Sequence, residues 1–337
     1  MTAEETSPRD ALLQMTNAFQ LSQAIYVAAT LGIADLLKDG PKGSDELADA
    51  TRTHAPTLYR LLRALASVGI FVESDGRFGL TPLAQNLRTD TPGSLRDFVM
   101  LIGQQSFWSS WGHLFHSVRT GESAFRRIHR MALWEYLAAH PEEAAVFDAA
   151  MTSLSSGVVD AVVRSYDYSG IGLLLDVGGG EGTLLAAILA ANPSLRGILI
   201  DQPDVVRTAG ALLEREGVAD RCEVVGGSFF ETVPAGADAC LLKSVIHDWD
   251  DEAAIEILRS CQAAMDEGGK LLVVERVIRP GNDPDPAKFS DLNMLVIPGG
   301  RERSAEDFER LYAEAGFELS EIIRTGSPYN IIEGSPE

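Results

Sequence analysis

One stretch decides the fold: Leu173-Leu174-Leu175-Asp176-Val177-Gly178-Gly179-Gly180-Glu181-Gly182, followed by an apolar run at 183–191. The run 173–177 predicts a buried strand, and 183–191 predicts a helix. The glycines between them leave the backbone open to close approach, because no Cβ stands in the way. In open α/β sheets, ligands sit at the carboxyl ends of the strands. The stretch therefore predicts a ligand-binding loop between a strand and a helix.

The spacing of the glycines indicates which ligand this is. From Asp176 the residues follow D-x-G-x-G-x-G, with glycine at Gly178, Gly180 and Gly182. A dinucleotide fingerprint, G-x-G-x-x-G, begun at Gly178 would need a glycine where the chain has Thr183. The observed spacing is the one that S-adenosylmethionine sites use. A tight turn without a ligand is the alternative.

A carboxylate ends the next predicted strand, 198–200. Asp201 follows the glycine loop by about 20 residues, where an acid can accept both hydroxyls of a ribose. An acid in this position could equally be a helix cap or a surface charge. Coupled to the glycine loop, it predicts an adenosyl-like cofactor.

Strands and helices alternate through the whole C-terminal half, which predicts a doubly wound, Rossmann-like α/β sheet. Further strands are predicted at 222–225, 239–242 and 270–274, helices at 203–216, 250–265 and 304–315, and a closing hairpin at 317–323 with 329–333.

The N-terminal half is mostly helical. Leu58, Leu61, Leu62 and Leu65 follow helical spacing after a shorter helix at 44–51, and a hairpin follows at 70–80. This order is that of a winged helix. We expect a dimerisation domain at 1–100, a helical linker that contributes to a substrate pocket at 101–168, and the cofactor-binding domain at 169–337.

Composition excludes several functions. The 337 residues are 45% hydrophobic and 23% charged, with 28 basic and 49 acidic residues and a net charge of −21. The negative electrostatic field that this net charge creates disfavours binding to nucleic acids, which are also negatively charged. The acidic N-terminus and the lack of a long apolar run predict a cytoplasmic protein without membrane contact. The spacing of the three cysteines suggests neither a metal site nor a disulfide framework; they are Cys222, Cys240 and Cys261.

A histidine follows the strand at 239–242 and so lies on the ligand edge of the sheet. His247 stands in Lys243-Ser244-Val245-Ile246-His247-Asp248-Trp249-Asp250-Asp251. An imidazole with a pKa near 6.5 can take a proton from a phenol. The alternative is a structural or exposed histidine. Asp250 or Asp251 is expected to cap the following helix.

These motifs together resemble the S-adenosylmethionine-dependent O-methyltransferases of the plant caffeate/hydroxyindole type and their bacterial small-molecule relatives. Five landmarks carry the resemblance in order, at 174–182, 201–206, 226–230, 243–251 and 299–303. The likeness covers nearly the whole chain. It implies S-adenosylmethionine as cofactor, S-adenosylhomocysteine as product, no metal, and a homodimer formed through the N-terminal domain.

The resemblance also implies roles for individual residues. His247 would be the general base, held and polarised by Glu275 and Glu302. The cofactor would be bound by Asp176, Gly178, Gly180, Asp201, Gly227, Ser228, Phe229, Lys243 and Trp249. A flat aromatic hydroxyl acceptor would be held by Phe147, Met151, Asn293 and Met294, of which the helical pair Phe147 and Met151 fits plain core packing equally well.

The chain departs from the family at Ser228, where an acid usually binds the adenine amine. A serine can accept that hydrogen bond, but without the assistance of a charge. Three alternatives remain: a relative that uses the cofactor for hydroxylation or for N- or C-methylation, a winged-helix regulator that senses a ligand, and a catalytically inert cofactor-binding partner protein. The acceptor, aromatic or polyketide-like, is not identified by the sequence.

Overall fold

The computed structural model describes residues 7–231 and 233–337. They fall into two compact units, one of residues 7–108 with Ala145–Leu154 and one of Ser109–Ala144 with Ser155–Glu337. These units describe compactness, and the predicted divisions near 100 and 168 concern function. As functional divisions they stay a prediction.

The first unit begins with a long helix and continues as the predicted helix–helix–hairpin. Its elements are α1 (Pro8–Thr30), α2 (Ile33–Leu36), β1 (Lys42–Gly43), α3 (Ser44–Thr51), α4 (Ala55–Ser67), β2 (Phe71–Ser74), β3 (Arg77–Leu80), α5 (Pro82–Gln85), α6 (Arg96–Gly103) and α7 (Gln105–Trp111), the last of which extends into the second unit. The short strand β1 pairs with β3 and makes the sheet three-stranded, in the order β1-β3-β2. Strand β1 was not predicted, because two residues carry no alternation of polarity.

Helix α4 shows why this unit folds as the spacing predicts. Leu58, Leu62 and Leu65 are buried on one face, and a proline stands in the first turn. Gly69 follows the helix with φ of 81°, a conformation that favours glycine. The apolar face of α4 packs with residues of the hairpin, including Phe71 and Phe78, into a separate core.

The second unit contains the large sheet. Before it come α8 (Leu114–Thr120), α9 (Ala124–His129), α10 (Leu133–Ala139) and the long α11 (Pro141–Ser165), which is shared between the units. The sheet and its helices are β4 (Leu173–Val177), α12 (Thr183–Ala191), β5 (Arg196–Asp201), α13 (Pro203–Val206), α14 (Ala209–Arg215), β6 (Cys222–Gly226), β7 (Ala237–Lys243), α15 (Asp251–Ala264), β8 (Met265–Glu275), β9 (Val277–Ile278), α16 (Pro286–Val296), β10 (Arg303–Ser304), α17 (Ala305–Ala315), β11 (Phe317–Arg324) and β12 (Asn330–Pro336).

The seven strands lie in the order β11-β12-β8-β7-β4-β5-β6. The strands β8 to β6 in this order are parallel, whereas the closing hairpin β11–β12 joins β8 in antiparallel orientation. Buried apolar residues cover the sheet in two clusters. The predicted α/β fold class is confirmed.

Strand order places the ligand edge. The chain runs from β4 outward to β5 and β6, then returns to pair β7 on the other side of β4. Such a reversal opens a crevice at the carboxyl ends of the strands, where ligands bind in this class of sheet. The glycine loop after β4 and the segment after β7 border this crevice.

Among the described residues, no single helix is long and apolar enough to cross a membrane. The two parts of α11, Pro141–Ser155 and Gly157–Ser165, meet at 48° and pass that test only when they are taken together.

Candidate active site

The loop after β4 has the backbone shape that its glycines predicted. Gly178, Gly180 and Gly182 have φ of 70°, 62° and 85°. A Cβ on Gly178 would lie 2.8 Å from Val245, and a Cβ on Gly179 would lie 2.5 Å from Asp176 Oδ2. Side chains at these positions would therefore force the loop away from its neighbours.

Asp201 joins this loop to the end of β5. Its Oδ2 accepts from the Gly180 N–H at 2.8 Å, and its Oδ1 accepts from the Gln202 N–H at 2.7 Å. Burial raises the pKa of Asp201, and these two N–H groups work against that rise. The carboxylate remains partly exposed at the ligand edge, where its other lone pairs are available to ribose hydroxyls.

Asp176 carries the clearest sign that a ligand is needed here. Its side chain is 1% exposed, and neither carboxylate oxygen has a hydrogen-bond partner among the described residues. Burial raises its pKa to about 7, with Lys243 lowering it and Asp201 raising it. Leaving a buried carboxylate unpartnered is costly. An orphaned acid beside an open glycine loop fits a bound group that brings positive charge and hydrogen-bond donors.

Lys243 ends β7 close to this acid. Its Nζ donates to Ser155 Oγ at 2.8 Å and lies 5.6 Å from the centre of the Tyr329 ring. The ammonium is thus held by named partners within the second unit, and its charge acts on Asp176.

Aromatic rings border the glycine loop. A Cβ on Gly178 would lie 3.5 Å from Phe229 Cε1. The Trp249 ring stands edge-on to Phe229 and to Phe230, with centroids 6.2 Å and 4.8 Å apart. Before these rings, the Gly227 N–H donates to Asp201 O at 2.9 Å, and Ser228 Oγ accepts from the Phe230 N–H at 3.3 Å. The predicted adenine-binding segment is therefore tied to the end of β5.

His247 lies in a short turn between β7 and α15, with its side chain 12% exposed. Its Nδ1 lies 3.3 Å from Glu302 Oε1 and 3.2 Å from Glu275 Oε2. The contact with Glu302 is a hydrogen bond, and that with Glu275 is an ion-pair contact. On the other side of the ring, Nε2 lies 3.7 Å from Asp248 Oδ1. Three separate parts of the chain thus meet around one imidazole.

The acids around His247 control its protonation. Burial lowers the pKa of the imidazole, but the charges of Glu275 and Asp248 and the bond to Glu302 more than offset this and raise it well above 6.5. Burial also raises the pKa of Glu275, and it raises that of Asp248 to about 7. Burial has the same effect on Glu302, but its bond to His247 lowers the pKa overall.

The cluster can stabilise an imidazolium. Both glutamates face the same ring nitrogen, so they fix the ring and leave Nε2 as the atom that can accept a proton. One ligand atom from each of His247, Glu275 and Glu302 lies within 4.8 Å of the others, a spacing that could also hold a metal ion. The spacing of the three cysteines says nothing about a cluster made of a histidine and two glutamates. That the enzyme holds no metal therefore stays an expectation.

Two residues outside the predicted set contact Glu302. Ser290 Oγ donates to Glu302 Oε1 at 2.6 Å, and Asp291 Oδ1 accepts from the Glu302 N–H at 3.0 Å. Both stand on α16, about a dozen residues earlier in the chain, and no local motif marks them. Asp248 was part of the quoted motif, but its position near Nε2 could not be read from the sequence.

The predicted acceptor residues divide between the two units. Asn293 and Met294 lie on α16, where Asn293 Oδ1 accepts from Trp111 Nε1 at 2.9 Å and Met294 is 9% exposed. Phe147 and Met151 belong to the first unit, in which the Phe147 ring lies 6.4 Å from that of Phe107. Their role in binding an acceptor stays a prediction.

Comparison with known proteins agrees with this geometry. Residues 111–318 match the O-methyltransferase domain, and residues 13–90 match the O-methyltransferase dimerisation domain. The phenazine O-methyltransferase PhzM of Lysobacter antibioticus is 46% identical over 96% of this chain and 95% of its own.

Solved structures extend the likeness to the fold. The structure of LaPhzM has a TM-score of 0.94 and 46% identity, covering 97% of this chain and 98% of that one. NcsB1, an O-methyltransferase from neocarzinostatin biosynthesis, was solved with S-adenosylmethionine and 2-hydroxy-5-methyl naphthoic acid. It has a TM-score of 0.83 and 35% identity, covering 94% of this chain and 96% of that one.

The glycine loop, the orphaned acid beside it and these matches lead to one assignment. The chain belongs to the O-methyltransferase family and is an S-adenosylmethionine-dependent O-methyltransferase.

Proposed function

We propose that this enzyme methylates a hydroxyl of a small aromatic acceptor and that His247 is the general base. The observation that carries the proposal is the pair of buried carboxylates on one ring nitrogen, Glu275 and Glu302 around Nδ1. This pair favours the protonated ring and directs Nε2 towards proton acceptance. When bound, S-adenosylmethionine supplies an electrophilic methyl group, and S-adenosylhomocysteine is the product.

The protein contributes binding and proton transfer. His247 Nε2 takes the proton of the acceptor hydroxyl, and the two glutamates stabilise the resulting imidazolium. The Asp201 carboxylate accepts hydrogen bonds from the ribose hydroxyls. The rings of Phe229 and Trp249 pack against the adenine. Gly227 and Ser228 hold the backbone of the adenine-binding segment. Holding the acceptor and the cofactor close together in the reactive orientation supplies up to about 7–11 kcal/mol of the reduction in the activation barrier.

The acceptor is proposed from the relatives and from α16. PhzM is named for phenazine and NcsB1 was solved with a naphthoic acid, so planar hydroxylated rings are the first class to test. On α16, Asn293 is oriented by Trp111, and Met294 offers a polarisable apolar surface. Phe147 and Met151, which belong to the first unit, stay proposed acceptor residues.

We also propose a homodimer formed through the first unit. Helix α1 exposes Leu12 (67%), Met15 (73%) and Phe19 (56%), which follow helical spacing. An apolar face of this size on a single chain indicates an interface. The match of residues 13–90 to a dimerisation domain supports a second copy as the partner.

The alternatives are weaker on this geometry. Hydroxylation has no hydroxyl proton for His247 to accept. N-methylation and C-methylation also release a proton, and O-methylation is favoured over them because the relatives reported above are O-methyltransferases. An inert partner protein would have no need of three acids around one imidazole. A DNA-binding regulator is disfavoured by residues 1–100, which contain 9 basic and 12 acidic residues.

Replacement of His247 tests the proposal. His247→Ala should lower kcat on a hydroxyphenazine or hydroxynaphthoic acid by about 10²- to 10⁴-fold. Its Kd for S-adenosylhomocysteine, measured by calorimetry, should stay within about threefold of wild type. The control is His54→Ala, because His54 is an exposed histidine that bonds to Thr57 at the start of α4. Turnover by His247→Ala near the wild-type rate would disprove the base assignment.

A further inference from the structure

A buried arginine holds the turn that carries His247. Arg303 is 1% exposed. Its Nη1 donates to Ile246 O at 2.9 Å, and its Nη2 donates to Trp249 O at 3.1 Å. These carbonyls lie on either side of His247, so one guanidinium spans the turn from end to end. The arrangement needs the planar fork of arginine, which the single ammonium of lysine cannot reproduce.

The guanidinium is itself fixed by an acid. Asp251 Oδ1 accepts from Arg303 Nε at 3.0 Å and from Nη2 at 2.7 Å. Helix α15 is capped separately by Asp250, whose Oδ1 accepts from the Ala253 N–H at 2.9 Å. Asp251 therefore anchors the arginine rather than capping the helix.

The backbone next to Arg303 packs directly against the same turn. The Arg301 N–H donates to His247 O at 2.8 Å. A Cβ on Gly300 would lie 2.1 Å from His247 O and 2.5 Å from Trp249 N, a distance that no side chain can occupy. Between these residues and Arg303 stands Glu302, which contacts the imidazole. The segment 300–303 thus holds the backbone of the turn and supplies one of its acids.

The same segment is tied to the second acid. β10, which begins at Arg303, pairs in parallel with β9, two residues beyond Glu275. Glu275 Oε1 in turn accepts from the N–H groups of Val245 and His247 at 3.0 and 3.3 Å. The turn is therefore held through its carbonyls by segment 300–303 and through its N–H groups by Glu275.

We propose that Arg303 is a positioning residue for catalysis, which fixes the 246–249 turn so that His247 Nδ1 faces both Glu275 and Glu302. This inference rests on the proposed role of His247 as base. Arg303 does not reach the acceptor or the cofactor in the proposed scheme. Its charge also acts on Glu275 and offsets part of the rise that burial causes in the pKa of that acid, so it contributes to the charge balance of the cluster.

Arg303→Lys tests the inference against a matched control, Arg221→Lys. Arg221 is half-buried and also holds carbonyls, donating to those of Leu189, Asn192 and Leu195, but it lies just before the edge strand β6. The measurements are kcat, KM for a phenolic acceptor, Kd for S-adenosylhomocysteine, the pH dependence of kcat/KM and the thermal unfolding midpoint.

We expect Arg303→Lys to lower kcat by about 10- to 100-fold, because displacement of a catalytic group by about 1 Å has an effect of this size. The midpoint of the pH dependence should also move, while Kd stays within about threefold. Arg221→Lys should lower the unfolding midpoint and leave kcat and the pH dependence unchanged. If folded Arg303→Lys keeps wild-type kcat and pH dependence, the inference is wrong.

If Arg303→Lys does not fold, Asp251→Ala tests the role of Arg303 in its place. It removes the anchor of Arg303 and leaves the Asp250 cap in place. A lower kcat with a moved pH midpoint supports the inference, and wild-type values for both overturn it. The His247→Ala variant separates the two proposals. If His247→Ala is active, His247 is not the base and both proposals are wrong. If His247→Ala is inactive and Arg303→Lys is fully active, only the proposed role of Arg303 is wrong.

Discussion

The cofactor edge and the imidazole cluster lie at the same end of one sheet and are built in different ways. The glycine loop is contiguous, and its function lies in backbone shape and in the space that missing side chains leave. The cluster around His247 is assembled from distant positions, Glu275 and Glu302 following by 28 and 55 residues. Its function lies in buried charges that balance one another.

This difference teaches what each region can tolerate. The loop should be sensitive to added volume and should reveal damage through cofactor affinity. The cluster should be sensitive to the loss of a single charge and should reveal damage through kcat. Substitutions in the two regions are therefore expected to affect different kinetic parameters.

The largest effect after His247→Ala is expected for Glu302→Gln. The amide keeps the shape and can still accept from Nδ1, but it no longer stabilises the imidazolium by its charge. A hydrogen bond to a charged group is worth about 1.5–3 kcal/mol, which corresponds to a fall in kcat of about 10- to 100-fold. Exposed Glu306→Gln is the control on the adjoining helix. A fall confined to cofactor affinity would contradict the distinction between the regions.

Gly178→Ala should act on the other parameter. Its φ of 70° and the 2.8 Å approach of Val245 mean that the new Cβ displaces the loop. We expect Kd for S-adenosylhomocysteine to rise about tenfold, because the displaced loop must return to its strained left-handed shape to bind the cofactor, at a cost of about 1–2 kcal/mol. Saturating cofactor should recover most of kcat.

Gly217→Ala separates strain from site geometry. Gly217 has the same φ of 70°, but a Cβ at that position would have no atom of the described residues within 4 Å. Its replacement should lower the unfolding midpoint without changing Kd. Equal weakening of cofactor binding by both variants would show that Gly178 acts through stability alone.

The contrast between the regions also explains what the sequence could predict. The strand, loop and helix at 173–191 and the acid at Asp201 are local signals, and the structure has them where they were predicted. The helix α4 was equally readable from its apolar spacing. The start of β8 at Met265 could not be predicted, because Asp266 and Glu267 interrupt the apolar pattern; the sequence placed this start at 270.

The cluster could be only partly predicted. His247 stands in a recognisable motif, and the resemblance to the family pointed to both glutamates. That both face Nδ1, that Ser290 supports Glu302, and that Arg303 spans the turn depend on side chains brought together by the fold. Residues separated by tens of positions carry no local signal of such contacts, so these features needed the structure.

The pH dependence of the enzyme should report on the cluster. Glu275, Asp248 and Glu302 face His247 and raise its pKa well above 6.5, and the base must lose its proton to act. We therefore expect kcat/KM to rise with pH through a midpoint above 6.5. Glu275→Gln removes one of the charges that raise this pKa, so its midpoint should lie at lower pH than that of wild type.

The sign for stability is opposite to that for activity. A histidine whose pKa is raised by folding stabilises the protein fully below its unfolded pKa, and this contribution is lost as the pH rises through the folded value. Thermal unfolding across the same pH range should show wild type losing stability relative to His247→Ala as the pH rises. A wild-type advantage that instead grows as the pH rises would contradict the pKa shift.

The smallest effect is expected where a charge is added at the cofactor edge. Ser228 stands where the resemblance to the family implied an acid, and its Oγ already accepts from the Phe230 N–H at 3.3 Å. Ser228→Asp can keep that bond and adds charge assistance to the proposed hydrogen bond with the adenine amine. We expect about a three- to tenfold lower Kd for S-adenosylmethionine, and Ser228→Ala should weaken binding slightly. Calorimetry on both variants, with kcat unchanged in each, would show that an added charge at position 228 acts on cofactor affinity and not on catalysis. An unchanged Kd in Ser228→Asp would mean that the adenine amine is bound elsewhere.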